Sequence, residues 1–588
     1  MNGRSVWAEL KRRHVYKVGA AYAVGGWLIV QVATQVFPIF EIPTAWVRLI
    51  VVLVALGFPI ALAFSWAFDL TPEGLVRTDA IDAAQATAPQ LAAPRIERRL
   101  NYVLAALLLL ALAYLLAEHF VLQRHAASVE NAESAAGAPS IAVLAFTDMS
   151  ETRDQDYFAD GISEELLNLL AQVPGLHVVG RTSSFSFKGK AMNIKDVGQA
   201  LGVASVLEGG VRKAGDRLRV TARLVNVADG YELWSQRYDR KLTDIFAVQD
   251  DIAGAVVDAL KFKLMPIERP ASSKQHVPEF ETYDHFLRGR QFLERNNSKF
   301  YPDAVAAFRQ AIALDADYAD AYAGLAMAVS FTSESMTDPK VRAASQRDAM
   351  GAAMKAVELG PELGDAYAAR GYLRAADEWD WKGALADLQK AVILQPKDAR
   401  NQLRYGYVLA ILGRLPDAEK ALLSGTLSDP QFAPAWYWLG RIRTARGNYD
   451  GAMLAFERTL AINADYESVP RSRAVVELLR GNAAKARDIF ANADYAIGVA
   501  MAEHDLGHAD VAEKMIATFV AQRTDADAYL VGAAYAWCGN REQAFAWLDR
   551  ALQQHDENIQ YVKYDPLLRS LRDDARYARI VSAMHLED

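Results

Sequence analysis

The chain has 588 residues, too many for one compact domain, and its composition is 52% hydrophobic, 23% charged and 10% aromatic. Such a balance excludes wholesale disorder, collagen-like sequence and a disulfide scaffold. The net charge of −8 is uneven: residues 1–125 carry 11 Lys/Arg against 8 Asp/Glu, which leaves the remainder strongly acidic and a poor match for nucleic acid.

Residues 1–125 read as a membrane module. The stretches 18–37 and 49–68 run 20 residues each without a charged side chain, and 100–117 runs 18, extended towards 122 by Phe120, Val121 and Leu122. A helix of about 20 apolar residues crosses the roughly 30 Å hydrocarbon layer. Three transmembrane helices are therefore expected, at about 18–37, 49–68 and 100–122. Gly19 and Ala23 form a small-xxx-small step on the first. Arg4, Lys11, Arg12, Arg13 and Lys17 precede that span, and Arg77, Arg95, Arg98 and Arg99 lie between the second and third. The positive-inside rule then places the N-terminus and the loop 69–99 in the cytoplasm, with everything after about residue 123 outside it.

A small, polar linker at 126–138 leads to an α/β pattern. Ile141, Val143, Ala145 and Phe146 predict a buried strand; Asp160 is expected to cap a helix carrying Ile162, Leu166, Leu169, Leu170 and Val173 at helical spacing. A strand at Leu176 to Val179 and a helix at Ile194 to Leu201 follow. Runs at Ser205 to Arg212, Leu218 to Val227 and Tyr231 to Tyr238 are separated by Ala214-Gly215-Asp216 and Asp229-Gly230, which is hairpin chemistry. Thr243 is expected to cap a last helix with Ile245, Val248, Ile252 and Val256 inward. This order predicts a mixed sheet covered by helices.

The string IAVLAFTDMS…DYFADGISEELLNLLAQVPGLHVVGRTSSFSFKGK…VLEGGVRKAGDRLRVTARLVNVADGYELWSQRYDR…IFAVQDDIA resembles the TolB amino-terminal-like domain, densely over 139–265. The resemblance implies a bacterial protein in which this domain accompanies tetratricopeptide repeats (TPR). Some relatives of that kind carry a winged-helix or nucleotide cyclase domain in front, for which this chain is expected to have no room. ELKRRHVYKVGAAYAVGGWLIVQV and LGFPIALAFSWAFDLTPEG also look like the membrane module of such proteins. The location implied is the bacterial inner membrane, with the part after about residue 123 periplasmic.

From about residue 279 the chain turns Ala-, Leu- and Tyr-rich with a period of 34: Gly406 to Gly440, Ala418 to Ala452, Leu422 to Phe456 and Pro396 to Pro430. That is the TPR signature, a helical hairpin whose small residues allow close crossing and whose large ones fill the gaps between neighbours. About eight units fit into 280–560. The tail from Asp565 to Leu586 is expected to be a solvating cap helix. Trp379, Trp381, Trp436 and Trp438 are expected in repeat cores.

Chemical motifs fail one by one. His504 and His508 have the spacing of a short zinc motif, but Gly507 between them predicts a repeat turn. The segment from Gly180 to Lys190 is too long for a phosphate loop, and Ala191 stands where Ser or Thr is needed. Arg181-Thr182-Ser183-Ser184 is expected to close the sheet end, with an anion or a peptide backbone as the alternative partner. Glu164 and Glu165 are expected near a helix start, offsetting its dipole. No catalytic, cofactor-binding or metal-binding residues are assigned, no cofactor is expected, and partner-binding residues stay unassigned.

The expected architecture is thus multidomain: three transmembrane helices in 1–125, a linker at 126–138, a TolB-N-like α/β domain with a mixed sheet at 139–266, and an all-α TPR solenoid with its cap at 279–588. The function expected is that of a non-enzymatic inner-membrane scaffold or assembly factor whose groove binds proteins or peptides, with the lipid bilayer as a second partner, no nucleic acid, and a homo-oligomer left open. The alternative is a transmembrane sensor that passes periplasmic binding to a cytoplasmic partner.

Overall fold

The structure is a computed structural model that describes residues 22, 25–27, 54, 56–59, 68–71, 74–77, 139–190, 192–260, 276–522 and 527–586. The chain divides into two compact units, Met1–Asn131 and Ala132–Asp588.

In the first unit, strands β1 (Phe68–Thr71) and β2 (Gly74–Arg77) form an antiparallel hairpin with Phe68 opposite Arg77. Tyr22 donates its hydroxyl to the Val54 carbonyl at 3.1 Å and lies 5.8 Å from the Phe58 ring. The three expected membrane-crossing segments fall almost wholly outside the described residues. Among those described, no helix is long and apolar enough to cross a membrane. The fold class is corrected accordingly: what stands is a mixed-sheet α/β region followed by a helical repeat array. The inner-membrane location, deduced from the three spans, loses its basis with them. Phe68, expected to end the second span, opens a strand instead.

In the second unit, β3 (Ser140–Val143) pairs in parallel with β5 (His177–Val178) and β6 (Ser205–Ala214). The short β4 (Thr147–Asp148) also runs parallel to β6. β7 (Arg217–Asn226) and β8 (Glu232–Lys241) extend the sheet as antiparallel hairpins, giving the order β5-β3-β6-β7-β8. Gly215 and Gly230 turn the hairpins with φ of 62° and 78°, a region open to glycine at little cost. Helices α1 (Asp156–Ala171) and α4 (Ile245–Ala259) cover one face, burying Ile162, Leu166, Ile252 and Val256 against Leu207, Val220 and Leu224. Between β5 and α3 (Ile194–Leu201) lies the short α2 (Arg181–Phe185). α3 covers part of the other face, and alternation in β7 leaves Arg217, Arg219 and Arg223 exposed there. α1 begins at Asp156, one turn before the expected cap. Glu164 and Glu165 consequently lie mid-helix, and the dipole reading does not apply to them.

Eight helical hairpins follow among the described residues. They are α5/α6 (Phe280–Glu294, Tyr301–Leu314), α7/α8 (Ala319–Glu334, Pro339–Leu359), α9/α10 (Gly364–Leu373, Trp381–Leu394) and α11/α12 (Ala399–Ile411, Leu415–Ser428). The second half comprises α13/α14 (Ala433–Ala445, Tyr449–Ile462), α15/α16 (Ser468–Leu479, Ala483–Asn492), α17/α18 (Ala496–Asp505, Ala509–Gln522) and α19/α20 (Ala528–Trp537, Arg541–Gln554). One device recurs. A Cβ added at Gly371, Gly406, Gly440 or Gly532 would stand 2.5–3.0 Å from Leu388, Leu422, Phe456 or Leu548 of the second helix. Glycine in the first helix thus lets the second approach, which is the packing logic of a TPR array. A second device braces the inter-repeat loops: Tyr367, Gln402 and Trp436 each donate to the carbonyl of the proline six residues earlier, Pro361, Pro396 and Pro430.

The tail departs from the expected solvating cap. Leu568, Leu571, Ile580, Met584 and Leu586 are fully buried, and Trp381 donates its indole N–H to the Met584 carbonyl across 203 residues. The apolar residues at helical spacing in α21 (Ala575–Ala583) and its flanks give it a face that must be covered; α20 of the last hairpin packs against it, and Trp381 of the third hairpin joins the same core.

Candidate partner-binding face

The α/β region does not hang from the array; the two share a core. Gly161 of α1 sits against Leu287 of α5, leaving no room for a side chain, and Tyr157 donates to Asp284 at 2.6 Å. Glu164 is held by Arg181 at 2.8 Å and by Arg290, while Arg181 also reaches Glu294. Further along, the inter-repeat loops take over. Lys397 donates to the Ala171 and Leu176 carbonyls at 2.9 and 2.6 Å, satisfying the end of α1. Asp429, 4% exposed, accepts the amides of Thr182 and Ser183 at 2.9 and 2.7 Å together with the Ser183 hydroxyl. Gly180 N–H donates to the Ser428 carbonyl at 2.7 Å.

Past this seam the first helices of the hairpins line an inner face of half-exposed charged and aromatic residues. Asp320, Asp365 and Arg400 occupy the first turns of α7, α9 and α11. Burial beside Asp320 and Asp365 pushes Glu165 up to about 8, and burial with Asp365 nearby pushes Asp320 up to about 6. The second half is aromatic. Tyr407 meets Trp438 edge-on at 4.6 Å, Tyr437 packs on Tyr466 at 5.1 Å, and Tyr561 lies 6.0 Å from Trp438.

The motifs singled out in the sequence land as follows. His504 ends α17 and His508 follows Gly507, whose φ is 89°; His508 bonds Glu503 at 2.6 Å. Arg181 to Ser184 form α2, whose amides take the array's own carboxylate, Asp429. That is the peptide-and-anion alternative realised within one chain. Trp381 is buried as expected, whereas Trp438 belongs to the inner face. Burial pushes the Cys538 thiol up to about 12, away from reactivity. Sequence reasoning missed Asp429 and Lys397, although each directly neighbours one of the prolines that set the repeat period.

No protein-family model matches the chain. Over 189 residues, 32% of its length, it is 41% identical to a protein of Rhizobium meliloti (strain 1021) named "Putative adenylate cyclase 3". The match covers 32% of that protein, so the chain spans about a third of the curated relative's length. Among solved structures it is similar to YrrB, described as a TPR protein with an unusual peptide-binding site, at 25% identity over 32% of this chain and 88% of that one, with a TM-score of 0.23. A tetratricopeptide repeat protein from Parabacteroides merdae ATCC 43184 is 16% identical over 42% of this chain and 94% of its own, with a TM-score of 0.33. The expectation that the chain is no enzyme is corrected by the first of these only to this extent: a relative matched over 32% of its own length is named as a cyclase.

Proposed function

We propose that the chain binds protein or peptide segments on the inner face of its TPR-type array, as a scaffold or assembly factor. On this reading, residues 139–266 form a TolB amino-terminal-like domain that sets one wall of the binding face. The observation that carries it is the way the array already holds a piece of chain. Lys397 and Asp429, from successive inter-repeat loops, engage main-chain carbonyls and amides. Every peptide offers those groups, so a surface built this way suits extended segments, while the charged and aromatic inner residues supply selectivity.

The test is crosslinking of the purified full chain to cell extract, in wild type and two variants. Partners recovered by the wild type should be lost when Tyr437 and Arg471 of the inner face become alanine. They should persist when Leu427, 70% exposed on the second helix α12, becomes serine. Equal recovery by both variants refutes the inner-face reading.

A second reading, that binding at the array regulates a catalytic domain, draws on the segment shared with the cyclase-named relative. Incubating the purified chain with ATP and measuring cyclic AMP addresses it directly; sustained turnover would bring that reading to the front.

A further inference from the structure

About half of the described arginines of the array are matched to carboxylates; Arg370 and Arg374 share Asp387, and Arg443 and Arg446 share Glu419. Arg441, on the inner helix α13, has no carboxylate within ion-pair distance among the described residues. Its guanidinium lies 4.6 Å over the Trp438 ring and 4.3 Å over the Tyr561 ring. Stacking of this kind sets the rings against the flat faces of the group; Tyr561 also bonds the guanidinium, and the remaining in-plane N–H donors are left for a ligand. Beside it stands Tyr564, 3% exposed, with a hydroxyl that has no hydrogen-bond partner. Tyr561 and Tyr564 are 5.7 Å apart, and Tyr437 packs 5.8 Å from Trp438. The neighbouring carboxylate, Asp565, is already occupied by the Tyr529 hydroxyl and the Leu567 amide, both at 2.8 Å.

We infer that Arg441, Tyr437, Tyr561 and Tyr564 form a carboxylate-binding pocket on the inner face, which takes an acidic side chain of a bound peptide. The inference rests on the protein-binding reading and names the chemistry of its partner. Enclosure holds the Tyr564 hydroxyl well above its ordinary range, so it stays a neutral donor. Asp565 already lies in the field of this guanidinium, so the site has charge left for a single carboxylate at most. A phosphate dianion would bring half of its charge uncompensated into an enclosed site, which is costly. Arg471, stacked 4.9 Å over Tyr495 and likewise outside any ion pair among the described residues, offers a second acidic residue a place one repeat further on.

Calorimetric titration of the full chain tests this with four probes: a capped, amidated Glu-rich octapeptide, its Gln counterpart, glutarate and inorganic phosphate. The Glu peptide should bind and the Gln peptide should not. Arg441→Gln should weaken the Glu peptide about tenfold or more, and Tyr564→Phe, which leaves the packing intact, about threefold to tenfold. Glutarate binding as tightly as the peptide would keep the pocket and move its source to a small carboxylate. Phosphate binding tighter than both, no binding of either carboxylate, or Glu-peptide affinity unchanged in a folded Arg441→Gln chain would overturn the pocket. In that last case peptide binding itself survives, so the broader reading stands or falls separately on the crosslinking experiment.

Discussion

Glu165 shows how one position can carry a pH response. Burial in the cleft beside Asp320 and Asp365 pushes its carboxyl up to about 8 from an ordinary 4.5. Arg290, 3.8 Å away, is committed to Glu164 and does not offset this. A raised carboxyl pKa means that folding takes up a proton between the two values. The group is therefore harmless well below pH 4.5; from there to about pH 8 ionisation in the unfolded chain destabilises the fold progressively, and above about 8 the penalty is constant. Glu165→Gln, which cannot ionise, should match the wild type below about pH 4 and exceed it at pH 8.5. With the side chain 31% exposed, screening reduces the gain to on the order of 1–2 kcal/mol. Urea melts at the two pH values measure it, and a constant difference would refute the assignment. Asp429 differs in its partners: burial raises its carboxyl too, but the Ser183 and Thr182 donors counter that rise. Asp429→Ala strands two amides and a hydroxyl in a buried seam and should cost about 2–4 kcal/mol, whereas Asp429→Asn, which keeps an acceptor, should cost less.

At the scale of the element, the glycine-to-bulky pairing sets how closely a hairpin closes. A Cβ on Gly440 would come within 2.5 Å of Phe456, so Gly440→Val should lose about 1–3 kcal/mol through overpacking. Adding Phe456→Leu should return part of it, and a double-mutant cycle on thermal unfolding reads the coupling; strict additivity would show that the two do not meet. This element was legible in the sequence because the 34-residue spacing of Gly406, Gly440, Leu422 and Phe456 is a local, repeating signal. The hairpins of the sheet were legible for a similar reason, since alternation in β7 and turn residues at Gly215 and Gly230 act over a few positions. The start of α1 was misread because Asp160 looks like a cap, while the helix begins at Asp156 without any side-chain cap. Asp429, Lys397, Arg441 and Tyr561 were not legible as a site. Their roles depend on partners well over a hundred residues away in sequence, or on a tail that folds back, and no periodicity encodes either.

At the scale of the whole second unit, those return contacts change what kind of object the array is. An open solenoid is held by neighbours only, so its repeats can melt from the ends. Here the tail comes back from residue 584 to Trp381, and the α/β region grips the loops at 397 and 429. Distant repeats are thereby tied into one cooperative body. Trp381→Ala removes a large buried ring and its bond to Met584, costing about 3–5 kcal/mol. The larger effect is on cooperativity. Hydrogen exchange in the wild type should show α13 and α19–α21 opening with similar free energies. In Trp381→Ala, α19–α21 should open at distinctly lower free energy than α13, and the urea slope should fall as unfolding ceases to be one step. Uniform weakening at an unchanged slope would show instead that the tail is held chiefly by its nearest repeats, because only a contact that closes the chain on itself makes distant hairpins share one transition.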